Sequence, residues 1–222
     1  MRAGEILALA RRAGVGPRVS VLDLCCGVAG PGRLIARELG CDYLGVDESA
    51  EAIAIARERA AGTGCRFEVR RIPPLPAGQF DVVLLLETML AFPDKASLVR
   101  EVTAGLSPGG RFAFTLEAGR PLDAAERARM PRAETVWLCP LEELLGHLAA
   151  AGLAVRWQED CSDSHRAVCD ALIEAFTADA ENIAEQLGGQ ALDELLRAHR
   201  LWSEWLAGGR VRKLAIVAGE QA

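Results

Sequence analysis

The sequence predicts a single α/β domain built on a mostly parallel, seven-stranded sheet, and three observations carry that prediction. Residues 21–33, VLDLCCGVAGPGR, read as a short apolar strand, a glycine-rich turn and the start of a helix. Predicted strands and helices then alternate along the chain, which is typical of a parallel sheet covered by helices. Residues 80–86 form a continuous apolar run, as expected of a strand buried on both faces at the centre of such a sheet.

The individual elements are bounded by residues that start or stop regular structure. Pro31 suits the first turn of a helix, Ser49 is a good N-cap, and Asp94 with Ser97 opens a further helix that runs to residue 106. Strands are predicted at residues 19–24, 43–46, 65–70, 80–86, 111–116, 153–158 and 213–218. The other helices are predicted at residues 5–13, 31–39, 50–61, 141–151, 164–187 and 191–206.

Two segments are predicted to be irregular. Residues 71–79 contain three prolines, which exclude a helix or a regular strand. Residues 117–135 are charged and contain glycine and prolines, and we expect them to fold over a site at the sheet edge.

The sixth and last strands are separated by far more residues than a usual connection. We therefore expect residues 160–209 to form a helical lid and substrate-binding insertion, here called the helical insertion. Residues 1–159 would then form the ligand-binding core, and residues 210–222 would return to it as the last strand.

Composition excludes several classes of protein. The 222 residues carry a net charge of −6, which argues against a nucleic-acid-binding surface. Seven cysteines without a C-x-x-C pair indicate reduced thiols and a cytoplasmic protein. We find neither a signal peptide nor an apolar run of transmembrane length, so we expect no membrane partner. The oligomeric state, monomer or homodimer, stays open.

Two acids mark the ends of the first two predicted strands. A strand, a glycine turn and a helix together aim backbone N–H groups at a bound ligand. Asp23 is unusual because it puts a carboxylate into an apolar strand, where it would either orient the amides of the turn or face a ligand's ammonium group. Asp47 closes the second strand about 20 residues past the turn, where an acid accepts hydrogen bonds from ribose hydroxyls.

VLDLCCGVAG followed by GVDES resembles the first two motifs of class I S-adenosylmethionine-dependent methyltransferases. FDVVLLLETMLAFPD and LVREVTAGLSPGGRFAFT are similar to the family's fourth strand, the following helix and the fifth strand. Pro31, ET-M-L before PD, and a late D-x-S point to the small-molecule natural-product and tocopherol-methyltransferase type. The resemblance implies a Rossmann-like fold with an antiparallel last strand, and methyl transfer from S-adenosylmethionine to O, N or C of a small, fairly apolar acceptor, releasing S-adenosylhomocysteine.

The resemblance also implies the residues that bind the cofactor. They are Asp23, Cys25, Cys26, Gly27, Asp47, Glu48, Arg71, Ile72 and Glu87. Two positions depart from the family pattern. Cys25 stands where the family often has its first glycine. Arg71 stands where an acid commonly accepts from the adenine amino group, and arginine cannot accept a hydrogen bond. Three alternatives stay open. The backbone at residues 71–72 binds the adenine, Arg71 stacks on the adenine ring, or our alignment of this loop with the family pattern is shifted by one residue.

The catalytic base of related enzymes, a histidine shortly after the fourth strand, is absent, since Leu90 and Ala91 stand there. His165, after the sixth strand, is the best remaining candidate because its ordinary pKa is near neutral. Cys161, His165 and Cys169 would share one helix face, which fits a soft-metal site; packing thiols explain the pattern better, and we expect no metal. The residues expected to bind the acceptor are Met130, Trp137, Trp157 and His165.

Two other functions stay open from the sequence alone. An NAD-type oxidoreductase shares the strand, glycine turn and acid, although no hydride-transfer residues are evident. A non-catalytic protein that binds an adenosyl cofactor would explain the missing histidine.

Overall fold

The computed structural model describes residues 1–221 and contains one seven-stranded sheet with the strand order β3-β2-β1-β4-β5-β7-β6. The strands are β1 (Ser20–Leu24), β2 (Asp42–Asp47), β3 (Arg66–Val69), β4 (Phe80–Leu85), β5 (Leu106–Ala118), β6 (Leu153–Asp160) and β7 (Arg212–Glu220). Only β7 runs antiparallel to its neighbours. The predicted sheet and its antiparallel last strand are confirmed.

Nine α-helices accompany the sheet within the described residues. They are α1 (Ala3–Arg12), α2 (Gly30–Leu39), α3 (Ala50–Arg59), α4 (Lys95–Gly105), α5 (Ala124–Arg129), α6 (Leu141–Ala150), α7 (Ser162–Ala178), α8 (Ala180–Leu187) and α9 (Gly189–Ala207). Both predicted helix starts are confirmed, because the Ser49 and Asp94 side chains accept from the N–H groups of Ala52 and Ser97. None of these helices is both long and apolar enough to cross a membrane.

Each face of the sheet carries its own apolar core, because consecutive strand residues point to opposite faces. Val21 and Leu84 pack with helices α1 to α3 on one face. Leu22 and Leu85 pack with α4 and α6 on the other face. These cores hold the carboxyl ends of β1, β2, β4 and β5 at one edge of the sheet, together with the first residues of the antiparallel β7.

The helical insertion differs from its prediction in one detail. A break at Asp179 divides the predicted long helix into α7 and α8, so three helices lie between β6 and β7. Part of this region packs on a third apolar cluster, formed by Leu122, Met130, Val136, Leu138, Leu201, Trp205 and Val211.

The segment predicted to be irregular after β5 contains a short helix. Asp123 caps the N-terminus of α5, and its backbone N–H binds the Glu126 carboxylate in return. Glu126 also pairs with Arg210 at 2.6 Å, which joins this segment to the chain just before β7. The apolar pattern did not reveal α5, because none of its residues is buried.

Candidate functional site

Two cavities lie at the carboxyl edge of the sheet. The first cavity, about 580 Å³, is lined by Cys25, Asp47, Glu48, Arg70, Arg71, Ile72, Pro73, Thr88, Ala91, Phe92 and Pro93. The second cavity, about 290 Å³, is lined by Met1, Glu87, Leu90, Glu117, His165, Val168, Cys169, Leu172, His199 and Trp202. Residues after β4 face the two cavities in turn, so the segment 87–91 forms a wall that both cavities share.

Asp47 organises the glycine turn beside the first cavity. Its Oδ2 accepts from the N–H of Gly27 at 2.9 Å, and its Oδ1 accepts from the N–H of Ser49 at 2.9 Å. A carboxylate oxygen has two lone pairs, so each oxygen keeps capacity for a further donor. Asp47 lies where the sequence predicts it, and it also holds the turn, the role considered for Asp23.

Asp23 lies outside the first cavity. Its side chain is only 3% exposed and accepts a hydrogen bond of 2.5 Å from the Tyr43 hydroxyl inside the core. Burial raises the pKa of Asp23 to about 7, although the Tyr43 hydrogen bond opposes that shift. The structure shows the Asp23 carboxylate bonded to the Tyr43 hydroxyl and apart from the residues that line the first cavity. A contact of Asp23 with the turn or the ligand stays a prediction.

Gly32 serves this buried pair. A Cβ on Gly32 would clash with the Tyr43 ring and hydroxyl. The third glycine of the turn therefore makes room for a side chain of the protein itself.

The two cysteines of the turn point in different directions. Cys25 lines the first cavity and has a φ of 55°, a left-handed conformation that explains why glycine is common at this position. Burial raises the pKa of its thiol to about 12, so the group is neutral. Cys26 was expected at the cofactor, but its side chain is buried in the core, where it fills the space beside Gly45.

The proline-rich loop forms one wall of the first cavity. Arg71 is 87% exposed and lies 3.8 Å from Glu48 across the cavity mouth. Ile72 and Pro73 face Phe92 and Pro93 as apolar surface. The placement of Glu48, Arg71 and Ile72 agrees with the sequence, whereas Thr88 and Phe92 were missed because only their position after β4 marks them.

Glu87 lines the second cavity, and its expected contact with the cofactor stays a prediction. Its Oε2 lies 2.9 Å from Lys213 Nζ and 3.9 Å from His165 Nε2, and its Oε1 lies 3.5 Å from the Met1 amino group. Burial raises the pKa of Glu87, but the positive charges of Lys213 and the amino group outweigh it and lower the pKa to about 2. Glu87 also has a φ of 62°, a conformation rare outside glycine.

Glu117 and Lys213 complete this charged group, and the sequence analysis missed both. Adjacent strands β5 and β7 place them opposite one another, and Lys213 Nζ donates to Glu117 Oε1. Burial lowers the pKa of Lys213, but the carboxylates of Glu117 and Glu87 outweigh it and raise the pKa. The sequence does show a charged residue near one end of each of these apolar strands. That pattern indicates an ion pair only when the register of β5 and β7 is known.

His165 enters the second cavity from the first turn of α7. Burial and the charge of Lys213 lower its pKa, so the imidazole is neutral at pH 7. The D-x-S pattern fixes this turn: Asp160 accepts from the Ser162 N–H at 2.9 Å, and Ser162 Oγ accepts from the Lys213 N–H at 2.9 Å. The predicted base thus lies beside the charged group, in the cavity that Leu90 also lines.

The other expected acceptor-binding residues lie elsewhere. Met130 is buried in the third apolar cluster, and Trp157 packs on the core with Arg12 over its ring. Trp137 lines a separate cavity of about 460 Å³ beside Lys95. These three expectations are wrong for the second cavity, because apolar side chains pack equally well into a core. Trp202 is the tryptophan that lines it.

Comparisons with known proteins agree with this geometry. A family model described as a methyltransferase domain matches residues 16–200. The 27-O-demethylrifamycin SV methyltransferase of Amycolatopsis mediterranei is 31% identical over 196 residues, covering 83% of this chain and 72% of that protein. The chloroplastic tocopherol O-methyltransferase of Arabidopsis thaliana is 32% identical over 117 residues, covering 50% of this chain and 34% of that protein.

Solved structures share the fold across the whole chain. Phosphoethanolamine N-methyltransferase 2 of Haemonchus contortus, in complex with phosphomonomethylethanolamine and S-adenosylhomocysteine, superposes with a TM-score of 0.84 at 20% identity, covering 99% of this chain and 53% of that one. The chain spans 34–40% of the length of the first curated relatives.

Proposed function

Because the chain belongs to the methyltransferase domain family, we propose that it is an enzyme that transfers a methyl group from S-adenosylmethionine to a small, fairly apolar acceptor. The observation that carries this proposal is the shared wall of residues 87–91 between the two cavities. A donor in the first cavity and an acceptor in the second would meet across this wall. The family assignment favours this function over the NAD-type oxidoreductase.

The residues of the first cavity fit S-adenosylmethionine. Asp47 has free lone pairs for ribose hydroxyls at the carboxyl end of β2. Ile72, Pro73 and Phe92 supply apolar surface for an adenine ring. When bound, S-adenosylmethionine supplies a methyl group that its positive sulfur has already activated. Glu48 and Arg71 at the mouth remain predicted contacts.

The chain's own residues then have two tasks. The first is to align the reacting atoms and exclude water, which the helical insertion does by covering the second cavity with α7 and α9. The second is to accept the proton that the acceptor loses, for which His165 is neutral and close to the charged group. Lys213 and Glu87 hold this end of the cavity in place through their ion pair.

We also propose that the protein works in the cytoplasm on a free small molecule. All seven cysteines are free thiols, and Cys25 lines the first cavity, where oxidation would alter the site. The net charge of −6 disfavours a nucleic-acid substrate.

Ligand binding to Asp47→Ala tests the proposal. We expect S-adenosylhomocysteine and S-adenosylmethionine to raise the melting temperature of the wild type, because a ligand of the native state stabilises it. Asp47→Ala should weaken binding of both at least about tenfold, since the variant loses the ribose acceptor and the support of the turn. Asp42→Ala, an exposed acid at the opposite end of β2 and outside the first cavity, is the matched control and should change affinity less than about threefold.

The measurement is isothermal titration calorimetry of both variants with the two adenosyl ligands and NAD. Binding of NAD alone, or no binding of either adenosyl ligand, would refute the proposal. Binding without methyl transfer to any acceptor would support the non-catalytic alternative.

A further inference from the structure

The second cavity presents several hydrogen-bond acceptors close together, and the amino group of Met1, which lies 3.5 Å from Glu87, is a charged donor in the same lining. Glu117 is 4% exposed, and its Oε2 has no hydrogen-bond partner among residues 1–221. The buried Nδ1 of His165 is also unpartnered within that part of the chain. A buried polar atom without a partner costs free energy, so both atoms call for a ligand that donates hydrogen bonds.

The acceptors converge on one region. Glu87, Glu117 and His165 each bring one side-chain acceptor atom to within 4.8 Å of the others. The Glu87 carboxylate beside Nε2 favours the imidazole tautomer with hydrogen on Nε2, which leaves a lone pair on Nδ1. One donor atom with several hydrogens would satisfy more of this group than a hydroxyl, which has a single hydrogen.

A metal ion fits the cluster less well than a neutral donor. Lys213 Nζ donates to Glu117 and lies 2.9 Å from Glu87, so an ammonium already compensates both carboxylates. A dication beside that buried ammonium would meet strong repulsion. Lys213 itself is not among the residues that line the second cavity. The polar end of the cavity is lined by Glu87, Glu117, His165 and Met1, whose amino group is a second positive charge beside Glu87.

Apart from Met1, Cys169 and His199, the rest of the second cavity is apolar. Leu90, Val168, Leu172 and Trp202 line it, and the Trp202 ring can also attract a positive group. With a volume of about 290 Å³ the cavity suits a compact apolar body. The polar end and the apolar walls together define an amphipathic acceptor.

We propose that the methyl acceptor is an amine on a compact apolar or aromatic body, bound through its nitrogen by Glu117 and His165. The inference rests on the proposed function and names the acceptor class for it. The amine nitrogen forms a bond to the methyl carbon while the carbon–sulfur bond breaks and its electron pair stays on sulfur. One N–H proton passes to His165 Nδ1, so the products are the methylated amine, the neutral thioether and an imidazolium.

The test compares matched amines and alcohols. The wild-type protein is given S-adenosylmethionine with a deuterated methyl group and either benzylamine, phenethylamine and tryptamine, or benzyl alcohol, phenethyl alcohol and tryptophol. Mass spectrometry of the products gives kcat/KM for each. We expect the amines to exceed the alcohols at least tenfold. Acidification protonates the amines as well as His165, so the amine rate should fall with decreasing pH more steeply in the wild type than in His165→Gln; the charged neighbours of His165 are Glu87, Glu117, Lys213 and the Met1 amino group.

Variants separate recognition from folding. His165→Gln and Glu117→Gln should each lower kcat/KM for the amines at least tenfold, while calorimetry gives an S-adenosylhomocysteine affinity within twofold of the wild type. His147→Gln, on α6 outside the second cavity, should match the wild type. If Glu117→Gln does not fold, the kcat/KM of His165→Gln for the amines tests the inference on its own.

Three results would overturn the inference while leaving the proposed function intact: alcohols methylated as well as amines, no methylation of any amine by protein that binds S-adenosylhomocysteine, or variants that keep the amine rate. Abolition of activity by EDTA would also overturn it, because the carboxylates would then be metal ligands. Absence of adenosyl-ligand binding would instead refute the proposed function itself.

Discussion

The first cavity takes its turn and its acid from one stretch of chain, residues 25–47, whereas the second cavity draws its charged groups from four distant segments. Asp47 reaches back to the Gly27 amide within one strand–helix–strand unit. Glu87 follows β4, and Glu117 lies at the end of β5. His165 lies in the first turn of α7, and Lys213 lies at the start of β7. The difference teaches that the first cavity of this chain is built from a local motif, whereas the second cavity depends on packing between remote elements.

The two regions also treat charge differently. In the first cavity, the backbone N–H groups of Gly27 and Ser49 donate hydrogen bonds to the Asp47 carboxylate, and no buried cation takes part in this arrangement. In the second cavity a buried ammonium compensates two carboxylates, and each of these groups depends on the others. Removal of one member should therefore cost more in the second cavity than in the first.

The largest effect is expected for Lys213→Met. The variant leaves Glu117 buried without its cation, and breaking a buried pair from one side costs about 3–5 kcal/mol. Urea unfolding at pH 7.5 measures the free energy of unfolding. The exposed neighbour Arg212, which pairs with Asp160 at 2.9 Å, is the matched control, and Arg212→Met should cost less than about 1 kcal/mol. Equal losses in both variants would show that the buried charge has no special role.

An intermediate effect is expected for Tyr43→Phe, which tests the support beneath the first cavity. The variant leaves the Asp23 carboxyl buried without a partner, at a cost of about 1–3 kcal/mol. The folded-state pKa of Asp23, about 7, lies above its unfolded value of 3.8, so its contribution to stability is full below pH 3.8 and is lost as the pH rises through 7. The loss in Tyr43→Phe should therefore be larger at pH 8 than at pH 5.

Unfolding of wild type, Tyr43→Phe and Asp23→Asn across this pH range checks the prediction. Asp23→Asn is the control, because it has no carboxyl to titrate and should lack the dependence assigned to Asp23. A Tyr43→Phe loss that does not change between pH 5 and pH 8 would contradict the proposed ionisation.

The smallest effect is expected for Cys25→Gly. A left-handed conformation costs a residue with a side chain about 1–2 kcal/mol, and the entropy of glycine offsets roughly 0.5–1 kcal/mol of that gain. The variant should therefore gain at most about 1.5 kcal/mol in thermal or urea unfolding. Cys26→Gly, which empties a buried position in the same turn, should lose stability instead. A loss in both variants would mean that the Cys25 side chain packs usefully.

Sequence reasoning located the strand, turn and acid of the first cavity because those relations are local. The alternation of elements and the apolar run of β4 predicted a parallel sheet, and the spacing of Asp47 from the turn follows from one strand–helix–strand unit. The same reasoning did not find the hydrogen-bond partner of Asp23, because the pattern shows a carboxylate in an apolar strand without showing which neighbour meets it. Only the packing of β2 beside β1 brings the Tyr43 hydroxyl to that carboxylate.

By itself the sequence determined the fold class, and it located the glycine turn and Asp47 at one edge of the sheet. Only the tertiary structure decided that Glu87 belongs to the second cavity and that Glu117 and Lys213 share it. The physical reason is how far apart along the chain the contacting residues lie. Backbone geometry relates residues a few positions apart, whereas Glu117 and Lys213 meet through the antiparallel register of β5 and β7, which depends on how the whole sheet assembles.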